Sequence, residues 1–427
     1  MAANTDPKLQ NQIIYSVYVR NHTPEGTFRA VIPDLDRIRA LGTDIIWFLP
    51  IHPIGVEGKK GTLGCPYANR DYRSVNPAYG TMDDFKELVR EIHTRGMKCM
   101  IDVVYNHTSP DSTLYHEHPD FFYRNADGKP GNKMGDWSDV IDLDYRNKAL
   151  WDYQIESLKF WAGIVDGFRC DVASFVPLEF WRAAREAVRA VNPAAIWLAE
   201  TVHQSFGCLA RYRGVRSELD YDMYEAFDLE YEYDIREAFD KYLQGKIVLS
   251  HYLDMLNFQE AIYPANYNKL RFLENHDQPR IASYLWTEAA LKNYTAMLYF
   301  LKGTTLIYAG QEFESEHLPS LFEKEPIERR TGLDLSPLLR QLYAVKQGFG
   351  TQDWFRAEAD DENDIAILQR GGDGKRFLGV FSLKAKSAEI KADAPDGQYQ
   401  NLIDGETVTV RDGRLPCQGR PIILRVE

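Results

Sequence analysis

Residues 82–106, MDDFKELVREIHTRGMKCMIDVVYN, hold the alternation that decides the fold. A helical pattern over Met82–Thr94 stops at Gly96, a residue suited to a helix C-terminus, and gives way to the apolar, β-branched run Lys98–Val104. The same alternation extends in both directions. Further strand-like runs are Ile13–Val19, Asp44–Leu49, Val165–Asp171, Ala195–Ala199, Leu219–Tyr224, Leu270–Glu274 and Thr304–Tyr308. Helical patterns lie between them at Pro33–Leu41, Lys148–Trp161, Leu178–Val191, Ile235–Leu243 and Ala289–Leu301, with Pro33 fitting a first helical turn and Gly42 a C-terminus. Eight strands alternating with helices predict a parallel (β/α)8 barrel, the TIM-barrel architecture, rather than an open sheet.

One connection is too long for that scheme. The Gly-, Pro-, Asp- and Asn-rich stretch 106–144 is read as a small subdomain inserted after the third strand, over the barrel mouth. From about Phe349 the pattern changes to short strands with Asp-Gly and Gly-Gly turns: Asp364–Gln369, Arg376–Ser382, Ala388–Ala392, Thr407–Arg411 and Pro421–Val426. The expected organisation is therefore a barrel over 1–105 and 145–348, an insertion over 106–144, and a small antiparallel, sandwich-like β domain over 349–427.

Composition excludes several classes of function. The 427 residues are 44% hydrophobic and 26% charged, which argues against a disordered or fibrous chain. A formal net charge of −13, without any run of Lys and Arg, argues against nucleic-acid and anionic-membrane partners. There is no stretch of apolar residues long enough for a membrane span, and Met1–Gln10 lacks the marks of a signal peptide. Five cysteines without C-x-x-C spacing suit a reducing compartment, so a cytoplasmic location is expected. The aromatic content of 13% suits a cleft that stacks flat apolar faces, such as those of sugar rings.

Active residues of such barrels sit at the C-terminal ends of the strands. Those ends read Asp102-Val-Val-Tyr-Asn106-His107, Gly167-Phe-Arg169-Cys-Asp171, Glu200, and Glu274-Asn-His276-Asp277. Any one of these carboxyl groups alone is ordinarily a loop cap or half of an ion pair. Together, Asp171, Glu200 and Asp277 converge on one mouth beside Arg169, His107 and His276. Acidic groups so close cannot all ionise freely, and a carboxyl pair with split pKa values is what glycosidic cleavage requires. Arg169, two residues before Asp171, points to the same side of its strand and can hold Asp171 ionised.

These segments resemble the four signature regions of the α-amylase family, glycoside hydrolase family 13: DVVYNHT (102–108), GFRCDVA (167–173), LAET (198–201) and FLENHD (272–277), in the family's order. The resemblance implies that Asp171 is the nucleophile, Glu200 the general acid and base, and Asp277 a holder of sugar hydroxyls, with Arg169, His107 and His276 around the −1 subsite. Tyr67, in GCPYANRDY (64–72), is similar to the tyrosine that stacks under the −1 sugar. HDQPR (276–280) is similar to relatives acting on small oligosaccharides or transferring glucosyl units, and places Arg280 among the substrate-binding residues. Retention follows, and retaining carboxyl pairs sit about 5–5.5 Å apart.

No cofactor is implied for the chemistry itself. A structural calcium is possible, with Asn106 matching a calcium ligand and Asp136, Asp139 and Asp142 as hard oxygens nearby. Ser174-Phe175 replaces the Lys-His that follows the nucleophile segment in many relatives, and Ala68 stands where some exo-acting relatives carry an Asp, favouring an open cleft. The first reading is a retaining hydrolase of α-1,4-linked maltooligosaccharides or starch. The alternative is an α-glucosyl transferase or isomerase on the same scaffold, acting on sucrose, trehalose or a branched α-glucan. A non-catalytic member ordinarily lacks one of the three carboxylates, all present here. A metal hydrolase using Asp102, His107 and His276 lacks a strand-end His-x-His pair.

Overall fold

A computed structural model describes residues 2, 4–134, 137–285 and 287–427. Eight parallel strands close into a barrel: β1 (Ile13–Val17), β2 (Ile45–Phe48), β3 (Lys98–Val103), β4 (Gly167–Cys170), β5 (Ile196–Ala199), β6 (Leu229–Tyr231), β7 (Lys269–Arg271) and β8 (Thr304–Tyr308). They follow one another round the ring in chain order, and β8 closes against β1. Apart from Lys98 every strand residue is buried, since helices cover the outside and side chains fill the interior.

The helices earn their places by pattern and by capping. Met82–Thr94 buries Phe85, Leu88, Val89 and Ile92 on one face. Its first turn is fixed by Thr81 and Asp84, each side chain accepting from the other's backbone N–H, and Gly96 beyond it has φ +71. In the insertion, His107–Thr108 pairs antiparallel with Ile141–Asp142, so the excursion leaves and rejoins the barrel at one place. The C-terminal part has a four-stranded antiparallel sheet, in the order Trp354–Asp360, Ile365–Gly372, Lys375–Ser382, Ile422–Arg425, and two further strand pairs. It is pinned to the barrel by polar clamps: Asn257 exchanges two 2.8 Å bonds with the Ala357 backbone, and the buried Arg370 holds Asp353 at 2.9 Å and the Phe300 carbonyl at 3.1 Å. Among the described residues no helix is long and apolar enough to cross a membrane.

One predicted strand is wrong. Leu219–Tyr224 contains a helical turn, Asp220–Met223, and the sixth barrel strand lies further on at Leu229–Tyr231. The true strand is disguised by Glu230 at its centre. That carboxylate is fully buried, and its register partner on β7 is Lys269, whose ammonium stands 3.3 Å away. Lys269 also reaches Asp220 at 2.7 Å and Asp234 at 3.4 Å, so three acids share one lysine, and burial pushes Glu230 well above its ordinary value. Replacing it by Met leaves them uncompensated. Lys269→Met is expected to lower the unfolding free energy by about 3–5 kcal/mol in urea titration, and adding Glu230→Gln should recover part of the loss; a change within error would show that the three acids do not depend on Lys269.

Candidate active site

The parallel ladders run one residue past two strands and thereby place two carboxyl groups on one rim. The N–H of Asp171, just after β4, donates to the Val103 carbonyl at 3.0 Å, and the N–H of Glu200, just after β5, donates to the Cys170 carbonyl at 3.0 Å. The chain then turns sharply. Val172 adopts φ 36 and ψ 44, a left-handed conformation costly for a β-branched residue. That turn aims the Val172 N–H at Glu200 Oε2, 2.8 Å away, and returns the Ala173 N–H to the Glu200 carbonyl at 2.9 Å.

Arg169, in β4, organises the group. Its register partner on β3 is Asp102, and its Nη1 donates to Asp102 Oδ1 and to Asp171 Oδ1, both at 2.9 Å. Nη2 stands 2.7 Å from Glu200 Oε1 but off the line of a hydrogen bond. The guanidinium is fully buried and caged by the rings of Trp47, Tyr67 and Tyr231 at 5.3, 5.5 and 5.4 Å. Tyr67 donates to Asp102 Oδ2 at 3.0 Å, stands 2.7 Å from His276 Nε2 and stacks on that imidazole at 13°. His276 Nε2 is also 3.0 Å from Asp277 Oδ2.

One cation among three carboxyl groups leaves the site short of positive charge, and protons make up the difference. Burial pushes Asp171 and Glu200 up, each to about 7, and Asp102 up to about 6, against the pull of Arg169 in all three. Asp171 and Glu200 titrate as a pair. Arg169 reaches both members of the pair, at 2.9 Å from Asp171 Oδ1 and 2.7 Å from Glu200 Oε1. Burial also raises Asp277, but the charge and hydrogen bond of His276 outweigh it and hold that carboxyl below its ordinary value. Burial lowers His107, against the pull of Asp142 and Asp139. The buried Cys65 thiol is pushed up to about 12, which removes it as a nucleophile.

These groups open on a cavity of about 240 Å³ whose lining includes Tyr67, His107, Asp171, Glu200 and Asp277. Larger open grooves, such as that of about 960 Å³ beside Arg356 and Lys391, gather no comparable set of buried acids. Arg169 and His276 lie beneath the cavity and reach a ligand through Asp171, Glu200, Tyr67 and Asp277. Arg280 is not among the residues lining the cavity. It is fully buried, spends Nη1 on Glu274 (2.6 Å), Nη2 on the Ala309 carbonyl (2.9 Å) and Nε on the His317 carbonyl (3.2 Å), and braces the loops rather than a substrate. Sequence reasoning missed Trp137, whose ring is 5.4 Å from that of His107, as well as Lys60 and Leu321 of the lining, and read Asp139 only as a candidate calcium oxygen. They come from the glycine-rich run 55–64, the insertion and the loop after β8, three segments that only the fold brings together.

The residues around Asn106 do not fit a calcium ion. The Asn106 amide donates to His107 Nδ1 at 3.1 Å, and Asp142 Oδ2 accepts the Lys133 N–H at 2.8 Å. The half-buried Lys133 ammonium donates to the Leu143 carbonyl at 3.0 Å, and burial raises Asp142 against the pull of that charge. Asp139 is paired with Lys60 at 3.0 Å. The hard oxygens expected to hold a divalent ion thus face lysines; Asp136 lies outside the described residues.

Comparison with known proteins agrees with this geometry. Residues 4–137 and 133–331 match the family model "Alpha amylase, catalytic domain", and residues 356–424 match "Bacterial Alpha amylase C-terminal domain". An α-amylase structure from Lactobacillus plantarum is 43% identical, with a TM-score of 0.94 over 98% of this chain and 100% of that one. The maltogenic α-amylase AmyB of Thermotoga neapolitana is 32% identical, with a TM-score of 0.86 over 98% and 99%. The α-amylase MalA of Haloarcula japonica is 26% identical over 71% of this chain, a match that spans 44% of that longer protein. With a match of this extent over both barrel and C-terminal sheets, the chain belongs to the α-amylase family and is a glycoside hydrolase acting on α-glucans.

Proposed function

We propose that the enzyme hydrolyses α-1,4-glucosidic bonds of maltooligosaccharides and starch with retention, through a covalent glycosyl intermediate on Asp171. The observation that carries the reading is the pair of buried carboxyl groups, Asp171 and Glu200, on neighbouring strand ends beside Arg169, both pushed up by burial to about 7 and both open to the cavity. In the first step the Glu200 proton passes to the glycosidic oxygen as the C1–O bond breaks, while Asp171 bonds C1 from the opposite face. In the second, Glu200 takes a proton from water, whose oxygen attacks C1 and releases Asp171. Tyr67, stacked on His276, offers a flat apolar wall to the reacting ring, and Asp277, open to the cavity, accepts from its hydroxyls.

Asp171→Asn should abolish turnover of maltoheptaose in a chromatographic product assay, because an amide forms no ester intermediate; full activity would exclude the nucleophile assignment. Glu200→Gln should cost about 10²–10⁴-fold in kcat/KM on maltoheptaose and far less on an aryl glycoside with a good leaving group. An equal loss on both would remove its acid role. Because the pair titrates near 7, kcat/KM should fall as pH rises above about 7, where Glu200 loses the proton it must donate. A rate that keeps rising through pH 9 would contradict this. Chelation should leave both activity and melting temperature unchanged, since Lys133 stands beside Asp142; activity lost to chelator and restored by calcium would overturn that assignment.

A further inference from the structure

A strap crosses the rim of the cavity and takes no part in the chemistry above. Residues 55–64, GVEGKKGTLG, carry a glycine at every third position. One end is seated on the insertion. A Cβ at Gly55 would meet Ser109 Cβ at 2.1 Å, the Val56 N–H bonds the Asp111 carboxylate at 3.2 Å, and Gly58, with φ +68, lies against the Ser138 carbonyl. The other end is seated on the loop after β8. The Leu63 N–H donates to the Phe322 carbonyl at 3.1 Å, the Thr62 N–H donates to Glu323 at 2.8 Å, and Gly61, with φ +63, leaves room only for hydrogen against Phe322. Arg20 ties the end down through the carbonyls of Gly64, Leu321 and Leu63 at 3.0, 3.0 and 3.2 Å.

Lys60 is the middle of this strap. Its ammonium meets Asp139 Oδ1 at 3.0 Å, and the Asp139 side chain is only 4% exposed. Lys60 and Asp139 line the same cavity as the three carboxyl groups. Their side of it follows from the barrel. Glu200 belongs to β5 and protonates the leaving oxygen, so the part of the chain that departs lies toward β5. The strap lies in the loop after β2 and joins the insertion after β3 to the loop after β8, an arc centred on β1 and β2, and β1 is opposite β5 in the ring. The pair therefore stands on the non-reducing side.

We infer that the Lys60–Asp139 ion pair is the wall that ends the pocket on that side, so that the enzyme takes chain ends of α-glucans and releases short products instead of cutting within long chains. The inference rests on the glycosidase reading above and deepens it. The cavity volume of about 240 Å³ falls below the roughly 300–1,000 Å³ of drug-sized pockets. Ala68, which by itself leaves this side open, is itself buried, and the closing groups come from the strap and the insertion.

The test compares maltoheptaose with maltoheptaose capped at its non-reducing end by a 4,6-ethylidene group, products being resolved by chromatography. The wild-type enzyme is expected to prefer the free chain by at least about 50-fold, and Lys60→Ala and Asp139→Asn, checked for folding by their melting curves, to reduce that preference by at least about tenfold. Cleavage of the capped chain at the rate of the free one, with mid-chain products, would overturn the wall while leaving the glycosidase reading intact. Cleavage of neither would remove that reading itself. An unchanged preference in both folded variants would overturn the role given to the ion pair.

Discussion

The Arg169 guanidinium is the interaction on which the site depends. Fully buried and enclosed by Trp47, Tyr67 and Tyr231, it touches Asp102, Asp171 and Glu200 at once. A buried cation must be paired, and buried acids must be paired or protonated. One cation for three acids forces the second choice on part of the set, and burial pushes all three carboxyl groups up. The raised pKa of two carboxyl groups on neighbouring strand ends is thus built into the barrel wall. The β3–β4 register that sets Asp102 beside Arg169 and the strained turn at Val172 that hands its N–H to Glu200 then hold that arrangement in place.

Fixed lysines recur wherever the fold brings acids together. Lys269 serves Asp220, Glu230 and Asp234 in the wall; Lys133 stands beside Asp142 at the base of the insertion; Lys60 meets Asp139 at the rim. In a chain with net charge −13, these internal cations let acidic segments pack closely. They also tie function to fold, because the contact that joins insertion to strap is the one that shapes the pocket.

The rim residues were legible in the sequence because parallel strands buried on both faces read as apolar runs, and the polar residues that end them stand out. Asp171, Glu200 and Asp277 are such residues, and the structure gathers them. Glu230 hid β6 for the converse reason: a charged residue inside the wall breaks the apolar run, and its partner Lys269 lies on another strand. The strands Trp354–Asp360 and Arg414–Gln418 escaped notice because their outward residues are charged or exposed, and Pro416 interrupts the second. Arg280 follows from the HDQPR resemblance, and the structure spends its donors on Glu274, Ala309 and His317. The strap showed its glycines, but their purpose appears only when Ser109, Ser138 and Phe322 are seen against them.

The central claim is that Asp171 becomes covalently bonded to the sugar while Glu200 handles the proton. It is tested most directly by trapping with a fluorinated glucosyl fluoride, whose intermediate hydrolyses slowly, followed by peptide mass mapping. The account predicts one glycosyl adduct per chain, on Asp171. Steady turnover of the reagent with inverted product and no adduct would contradict it.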